Sequence, residues 1–251
     1  NETAENGNTA FMLACMKGNK DIVQLLLSYP NIELNARMNN GKTAFMLACM
    51  NGMEDIIQFL LSYPNIELNA RDDNGRTALI SACILGKKEV IQLLLDNSER
   101  IDLNTRDNDG VTAFMWACSK GHKDVVQLLL ENSKLDLNAR NNRGDTAFMI
   151  ACEREHKDVV QLLLDHSERI DLNARDDDGE TAFMIACDFG HKDVVQLLLD
   201  HSDQSIDLNA KNNNGDTAMM IACESGHQDI VQLINSKTTF IQGDQPILER
   251  R

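Results

Sequence analysis

The residues of this chain that could do chemistry are seven cysteines and six histidines. The cysteines recur at intervals of 34 to 36 residues, each in an Ala-Cys dipeptide: Cys15, Cys49, Cys83, Cys118, Cys152, Cys187 and Cys223. An odd number of widely spaced cysteines favours neither a disulfide framework nor a zinc site. We therefore expect all seven to be small buried hydrophobic residues. Free thiols in turn indicate a reducing environment, so we expect an intracellular, cytoplasmic location.

The histidines offer no catalytic or metal-binding pattern either. Four of them recur at one register and two lie in loops that follow: His122, His156, His191 and His227, then His166 and His201. None pairs with another ligand at the short spacing of a zinc site. There is no Ser-His-Asp order, no glycine-rich phosphate loop and no kinase motif. We predict a protein that is not an enzyme and that uses no cofactor or metal.

The elements that carry these residues form a repeat. A Gly-x-Thr-Ala signature returns seven times with the same interval as the cysteines, at Gly7, Gly41, Gly75, Gly110, Gly144, Gly179 and Gly215. A fixed period in this range is typical of a stacked array. Each unit is too small to bury its own apolar face, so it must stack on its neighbours.

One repeat predicts two helices and a turn. Thr146 can cap a short helix over 147–152, because its hydroxyl can accept a free amide of the first turn. In six repeats a glycine ends this helix, and in the fifth Glu155 takes its place, so we expect strain there. A second helix follows over 156–164, and an extended segment and a turn over 170–179 lead into the next repeat.

This order of elements resembles the ankyrin repeat family over residues 4 to about 237. The most specific strings are Gly-His-Lys-Asp-Val-Val-Gln-Leu-Leu-Leu at 121–130 and 190–199. The family's Thr-Pro-Leu-His becomes Thr-Ala-Phe-Met, as at 112–115, so we expect methionine packing in place of the Thr–His hydrogen bond. The resemblance implies an all-α solenoid of stacked helix-turn-helix units, with β-hairpin-like turns and a concave groove.

The repeats divide the chain into a solenoid domain and a tail. The domain spans 1–237, with units that start near residues 4, 38, 72, 107, 141, 176 and 212. The tail, 238–251, breaks the period and either caps the last repeat or links to another domain. Because the chain starts at Asn1 without a methionine, we expect a fragment or a processed protein.

Charge restricts the partners. Lys and Arg number 24 against 39 Asp and Glu, a formal net charge of -15. An acidic surface repels phosphate backbones and anionic lipids, so we expect no nucleic acid and no membrane partner. No apolar run approaches the roughly 20 residues of a membrane span. We expect a monomer whose protein or peptide partner has a basic face.

The candidate binding residues are those the scaffold does not dictate. In the family that the chain resembles, partners bind the turn tips and the exposed side of the first helix. Two positions after each Ala-Cys vary here, while most other positions nearly copy one another. With one turn-tip residue and the single tryptophan, the predicted partner contacts are Met16, Met50, Ile84, Leu85, Trp116, Lys120, Arg143, Arg154 and Phe189. The apolar ones could instead belong to the core, and Trp116 could pack between first helices.

The sequence also contains candidate sites for a covalent modification. An Asp/Glu-Leu-Asn string ends in Asn35, Asn69, Asn104, Asn138, Asn173 and Asn209. The resemblance implies that asparagines at this position can be hydroxylated by an oxygen-sensing dioxygenase. The alternative is that they brace the turn with side-chain hydrogen bonds.

The function predicted from the sequence is therefore a non-catalytic scaffold that binds a peptide segment or a folded protein in its groove. Two alternatives stay open: a regulatory module of a larger enzyme or channel, and an engineered repeat binder.

Overall fold

The computed structural model describes residues 4–5, 7–201 and 206–243, with side chains as far as Lys237. The chain divides into two compact units, Asn1–Asn142 and Arg143–Arg251. The first contains α1 (Ala10–Lys17), α2 (Lys20–Leu27), α3 (Ala44–Asn51), α4 (Glu54–Leu61), α5 (Ala78–Ile84), α6 (Lys88–Asp96), α7 (Ala113–Ser119) and α8 (Lys123–Leu130). The second contains α9 (Ala147–Glu153), α10 (Lys157–Leu164), α11 (Ala182–Asp188), α12 (Lys192–Asp200), α13 (Ala218–Glu224) and α14 (Gln228–Gly243).

These helices form seven pairs, one for each repeat, and confirm the all-α solenoid prediction. Within each unit, the first helices of consecutive repeats pack on one another and the second helices do the same. A phenylalanine of the first helix is buried in five repeats (Phe11, Phe45, Phe114, Phe148 and Phe183), and Leu79 is buried at the same register in the third repeat. Burying each such side chain stabilises the stack by about 1.5–3 kcal/mol.

A threonine cap starts each first helix, as predicted. In the fifth repeat Met149 N donates to Thr146 Oγ1 at 3.4 Å. Methionine does more here than pack, because Thr146 N in turn donates to Met149 Sδ at 3.4 Å. The first and fourth repeats show the same reciprocal pair. A thioether is a weak acceptor, and here it accepts a hydrogen bond from a buried backbone amide.

The turns that join the repeats are closed by aspartate or asparagine side chains. In the third repeat Asp72 Oδ1 accepts the amides of Asn74 and Arg76 at 3.0 and 2.9 Å. Gly75 supplies a φ of 77°, which an L-residue adopts only at a cost. The turn is hairpin-like: an isolated antiparallel bridge joins Arg106 and Thr112 across the turn of the fourth repeat.

Glu155 adopts the left-handed conformation that glycine supplies in the other six repeats. Its φ is 59°, and it is the only non-glycine residue with a positive φ in the described part of the chain. The Cβ of an L-residue crowds the backbone in this region. The turn at Glu155, which was expected to be strained, therefore has the same backbone conformation as the glycine turns of the other repeats, at a conformational cost.

The expectation that all seven cysteines are buried is wrong for one of them. Six are buried, and Cys223 in α13 is exposed. On the same helix Met220 is 47 % exposed, whereas its counterparts in the other repeats are buried. The physical reason is that no further first helix packs against α13 within the described residues.

The last helix is longer than the repeat pattern indicates. The pattern predicts a weak second helix that ends near residue 234, but α14 runs as far as Gly243. The predicted boundary between residues 237 and 238 therefore falls inside this helix. The rest of the predicted tail, 244–251, lies outside the described residues.

Candidate functional site

The positions that vary between repeats recur at fixed registers of each repeat. We define the variable face of a unit as the residue before each capping threonine plus the two residues after each Ala-Cys. In the first unit these are Asn8, Met16, Lys17, Lys42, Met50, Asn51, Arg76, Ile84, Leu85, Val111, Ser119 and Lys120. In the second they are Asp145, Glu153, Arg154, Glu180, Asp188, Phe189, Asp216, Glu224 and Ser225. Sequence reasoning missed the residue before the threonine, although it too changes from repeat to repeat.

The apolar part of the variable face lies in the first unit. Leu85 is 45 % exposed, whereas Met16, Met50 and Ile84 are half-buried. The four predicted apolar contacts therefore present edges rather than whole side chains, and Leu85 protrudes most. Leu13, which the sequence analysis did not select, is 42 % exposed.

Trp116 is held in place by polar and cationic neighbours. Its Nε1 donates to Asp107 Oδ2 at 2.8 Å. The Arg76 guanidinium lies 5.0 Å and the Lys120 ammonium 5.5 Å from the ring centroid, within the range of cation–π attraction. The ring is half-buried, so it both packs within the array and offers an edge on the variable face.

The charged side chains on the variable face of the first unit are all basic, namely Lys17, Lys42, Arg76 and Lys120. Arg76 Nε lies 3.8 Å from Oδ2 of Asp107, a buried carboxylate that also accepts hydrogen bonds from Val111 and Trp116. This face is therefore locally cationic in a chain whose net charge is -15.

The variable face of the second unit has the opposite character. Two of the predicted contacts, Arg143 and Arg154, bind carboxylates of their own repeat. Arg143 Nη2 lies 2.7 Å from Asp145 Oδ2 and 3.5 Å from Glu153 Oε2. Arg154 Nη2 lies 3.4 Å from Glu153 Oε1. The pKa of Arg143 is raised, mainly by the charge of Asp145.

The next repeat carries carboxylates that disfavour one another's ionisation. Burial raises the pKa of Glu180, and the charges of Asp176 and Asp188 raise it further. The pKa of Asp176 is also raised, again mainly by burial. A nearby positive charge would stabilise the ionised form of such a carboxylate.

Phe189 is the most exposed aromatic residue on this face. It is 53 % exposed, and its ring stacks on that of His191 with centroids 5.8 Å apart. His191 is itself fixed by a 2.8 Å contact between its Nε2 and the backbone oxygen of Glu153. An ordered, exposed ring suits contact with a partner because little side-chain freedom remains to be lost.

Three of the asparagines predicted as hydroxylation sites, Asn35, Asn69 and Asn104, brace neighbouring repeats. Asn69 Nδ2 donates to the Arg100 carbonyl at 2.9 Å, and its Oδ1 accepts from Asp102 N at 2.9 Å. Asn35 and Asn104 make the same pair of bonds to the following repeat. This geometry is the bracing that the alternative interpretation describes, and hydroxylation stays a prediction.

The described residues hold no cluster of three or more His, Cys, Asp or Glu that could bind a metal ion. Burial also raises the pKa of the Cys15 and Cys187 thiols to about 12, which suppresses the nucleophilic thiolate. Among the described helices, none has the length and apolar character needed to cross a bilayer.

Comparison with known proteins identifies the repeat. A family model described as ankyrin repeats (3 copies) matches residues 1–72, 65–141, 99–176, 133–212 and 168–242. Among 621 matching chains of solved structures is the ankyrin repeat domain of Bcl-3, described as a unique member of the IkappaB protein family. It is similar to this chain with a TM-score of 0.80 and 27 % identity, covering 92 % of this chain and 100 % of its own. A comparison with curated proteins gave no match.

Proposed function

Because the chain belongs to the ankyrin repeat family, whose members are generally protein–protein interaction modules, we propose that it is a non-catalytic scaffold that binds a protein through its variable face. One observation carries the proposal. The buried registers nearly repeat from unit to unit, while the exposed side chains of the variable face change in size, polarity and charge. A surface that the fold does not dictate is free to specify a partner.

The apolar anchors of this interaction lie in the first unit. Leu85 is exposed, and the edges of Met50 and Ile84 lie at the matching registers of α3 and α5. Methionine adapts its shape to irregular surfaces, and an exposed apolar row is typical of binding sites. The chain is proposed to be a monomer. The proposed occupant of its variable face is an extended segment or a folded face of a protein partner that presents apolar side chains.

A protein partner fits these surfaces better than a nucleic acid or a lipid surface does. The carboxylates Asp145, Glu180 and Asp188 on the second unit would repel phosphates. The first unit offers four cations, but they are interleaved with apolar side chains rather than set in a continuous basic stripe. We propose that the chain acts inside the cell, where its buried thiols stay reduced.

The experiment that tests this function is selection from a random-peptide display library. The wild-type chain is compared with Met50→Glu/Leu85→Glu. The matched control is Ile22→Glu/Leu25→Glu, which changes two exposed apolar residues of α2 outside the variable face. We expect one enriched motif that binds the wild type and the control but not the first variant, with all three chains folded by circular dichroism. Equal selection by all three chains would contradict the proposal.

A further inference from the structure

In the fifth repeat, an arginine occupies a site between two carboxylates of the variable face. Arg143 lies at the turn tip, and its guanidinium contacts Asp145 Oδ2 through Nε at 2.9 Å and Nη2 at 2.7 Å. Nη2 also lies 3.5 Å from Glu153 Oε2. The two carboxylates are largely buried, with side chains 8 % and 16 % exposed. The repeat thus shows a carboxylate pair of fixed register that holds a guanidinium.

The sixth repeat has the same pair of carboxylates but lacks the arginine. Glu180 stands at the register of Asp145, Asp188 at that of Glu153, and Asp178 at that of Arg143. The side chain of Asn212 hydrogen-bonds Glu180. Ser225 Oγ donates to Asp188 Oδ1 at 2.6 Å.

Within the described part of the chain, Glu180 and Asp188 therefore have neutral side-chain partners only. Neither carboxylate has a described lysine, arginine or histidine within 4.0 Å. Each of the two carboxylates keeps acceptor capacity, because an ionised carboxylate has about four lone-pair sites.

The electrostatics of the sixth repeat favour a cation at this place. The charge of Asp188 is one of the causes that raise the pKa of Glu180. In the fifth repeat, the positive charge of Arg143 lies between the corresponding groups. A guanidinium from another chain would relieve the repulsion in the sixth repeat in the same way.

The surface next to the pair also fits an arginine side chain. Phe189 directly follows Asp188, is 53 % exposed and is held by its stacking on His191. Guanidinium groups and their methylene stems pack well on aromatic faces. In the seventh repeat Asp216 and Glu224 occupy the two acidic registers again, so a partner with several basic residues would meet a second pair.

We propose that Glu180 and Asp188 form a binding site for an arginine of a protein partner, in the position that Arg143 fills in the preceding repeat. The inference deepens the proposed function, because it names the chemistry of the partner at the variable face of the second unit. The partner is a protein segment with at least one exposed arginine beside an apolar residue. An arginine is favoured over a lysine because its planar fork reaches two carboxylates at once.

The first test is a titration with a fluorescein-labelled octa-arginine peptide. The variant Glu180→Gln/Asp188→Asn keeps the shape and the neutral hydrogen bonds of the pair but removes both charges. Its control, Asp165→Asn/Asp200→Asn, removes two exposed charges at the C-terminal ends of α10 and α12. We expect the first variant to weaken binding by roughly threefold to tenfold, from the usual strength of partly exposed ion pairs, and the control to change it much less. Equal weakening by both variants, or no binding by the wild type, would overturn the proposal.

The second test fills the site from within the chain. Asp178→Arg places an arginine at the register of Arg143. Its control is Asp178→Asn, because the charge of Asp178 itself contributes to the raised pKa of Glu180. We expect Asp178→Arg to lower the pKa of Glu180, observed by NMR of its side-chain carboxyl, and to weaken octa-arginine binding, each more than Asp178→Asn does. Equal effects of the two variants on the Glu180 titration would show that the pair does not take a guanidinium.

These outcomes are separable from those of the proposed function. The octa-arginine peptide lacks apolar side chains, so its binding tests the second unit without the anchors Met50 and Leu85. If the peptide selection fails and the titration succeeds, the apolar anchors are ruled out and the arginine site is supported. The reverse result would remove the arginine site and leave a scaffold that reads apolar segments.

Discussion

Trp116 Nε1 donates a 2.8 Å hydrogen bond to Oδ2 of Asp107, a side chain that is only 1 % exposed. The other carboxylate oxygen of Asp107 accepts the amides of Asp109 and Val111. The bond therefore ties the first helix of the fourth repeat to the turn that precedes it. Among the described residues, no other repeat has a side-chain hydrogen bond from this register to its turn, because the register of Trp116 is otherwise aliphatic or, in Ser81, short.

Replacing this donor should destabilise the first unit. We expect Trp116→Leu to lower the free energy of unfolding by about 1–3 kcal/mol, since a buried carboxylate oxygen loses its partner. Urea unfolding followed by circular dichroism measures the change. In a double-mutant cycle with Asp107→Asn, the two losses should be less than additive. Strict additivity would show that the hydrogen bond contributes nothing to stability.

Replacing Glu155, the left-handed residue of the fifth repeat, should stabilise the protein. Glu155→Gly removes the crowding of a Cβ at a φ of 59°, worth about 1–2 kcal/mol. The flexibility of glycine in the unfolded chain offsets part of this gain. The variant also gives up the 3.5 Å contact with His191 Nδ1. We expect a net rise in unfolding free energy of up to about 1 kcal/mol, and a smaller rise for Glu155→Asn. A fall for both variants would mean that the contact with His191 outweighs the backbone cost.

Thiol labelling should distinguish the last repeat from the others. Cys223 is exposed, while six cysteines are buried and burial raises the pKa of their thiols. At pH 8 we expect a maleimide to modify one thiol per native chain quickly and all seven in urea, as counted by intact mass. Cys223→Ser is the control and should abolish the fast phase. Rapid labelling of any thiol in that variant would contradict the assigned burial.

Stability should depend on pH through Glu180. Its raised pKa means that the folded chain holds the proton more tightly than the unfolded chain does. The ionised form therefore destabilises the fold at neutral pH, and this effect disappears as the pH falls toward the ordinary value of 4.5. We expect Glu180→Gln to stabilise the protein by roughly 0.5 kcal/mol at pH 7, the scale of partly exposed charges, and not at all below pH 4. The exposed residue Glu168, changed to Gln, should show no such difference between the two pH values.

The sequence was sufficient for the parts of the fold that depend on local pattern. The Gly-x-Thr-Ala period predicted the helix pairs, and Thr146 caps its helix as expected from hydroxyl chemistry alone. The unusual geometry of Glu155 could also be anticipated, because six glycines at its register set the required backbone conformation. These features depend on a few neighbouring residues, so one repeat informs the next.

Features that depend on the environment of a repeat could not be predicted in this way. Cys223 follows an alanine, as the six other cysteines do, yet its exposure depends on what packs against α13. Arg143 was selected as a partner contact because it departs from the polar turn pattern. Only the structure shows that its long side chain turns back to Asp145 and Glu153. The acidic site at Glu180 and Asp188 became visible through that comparison.

The most direct test of the central claim, recognition through the variable face, uses NMR of methyl-labelled methionine. A peptide enriched by the wild-type chain is titrated into the labelled protein. We expect the methyl signals of Met16 and Met50 to shift and that of Met53 to stay unchanged. Met53 is the matched control, because it is also half-buried but lies at the start of α4 beside Gly18. Shifts at Met53 with none at Met16 or Met50 would place the partner elsewhere and contradict the account.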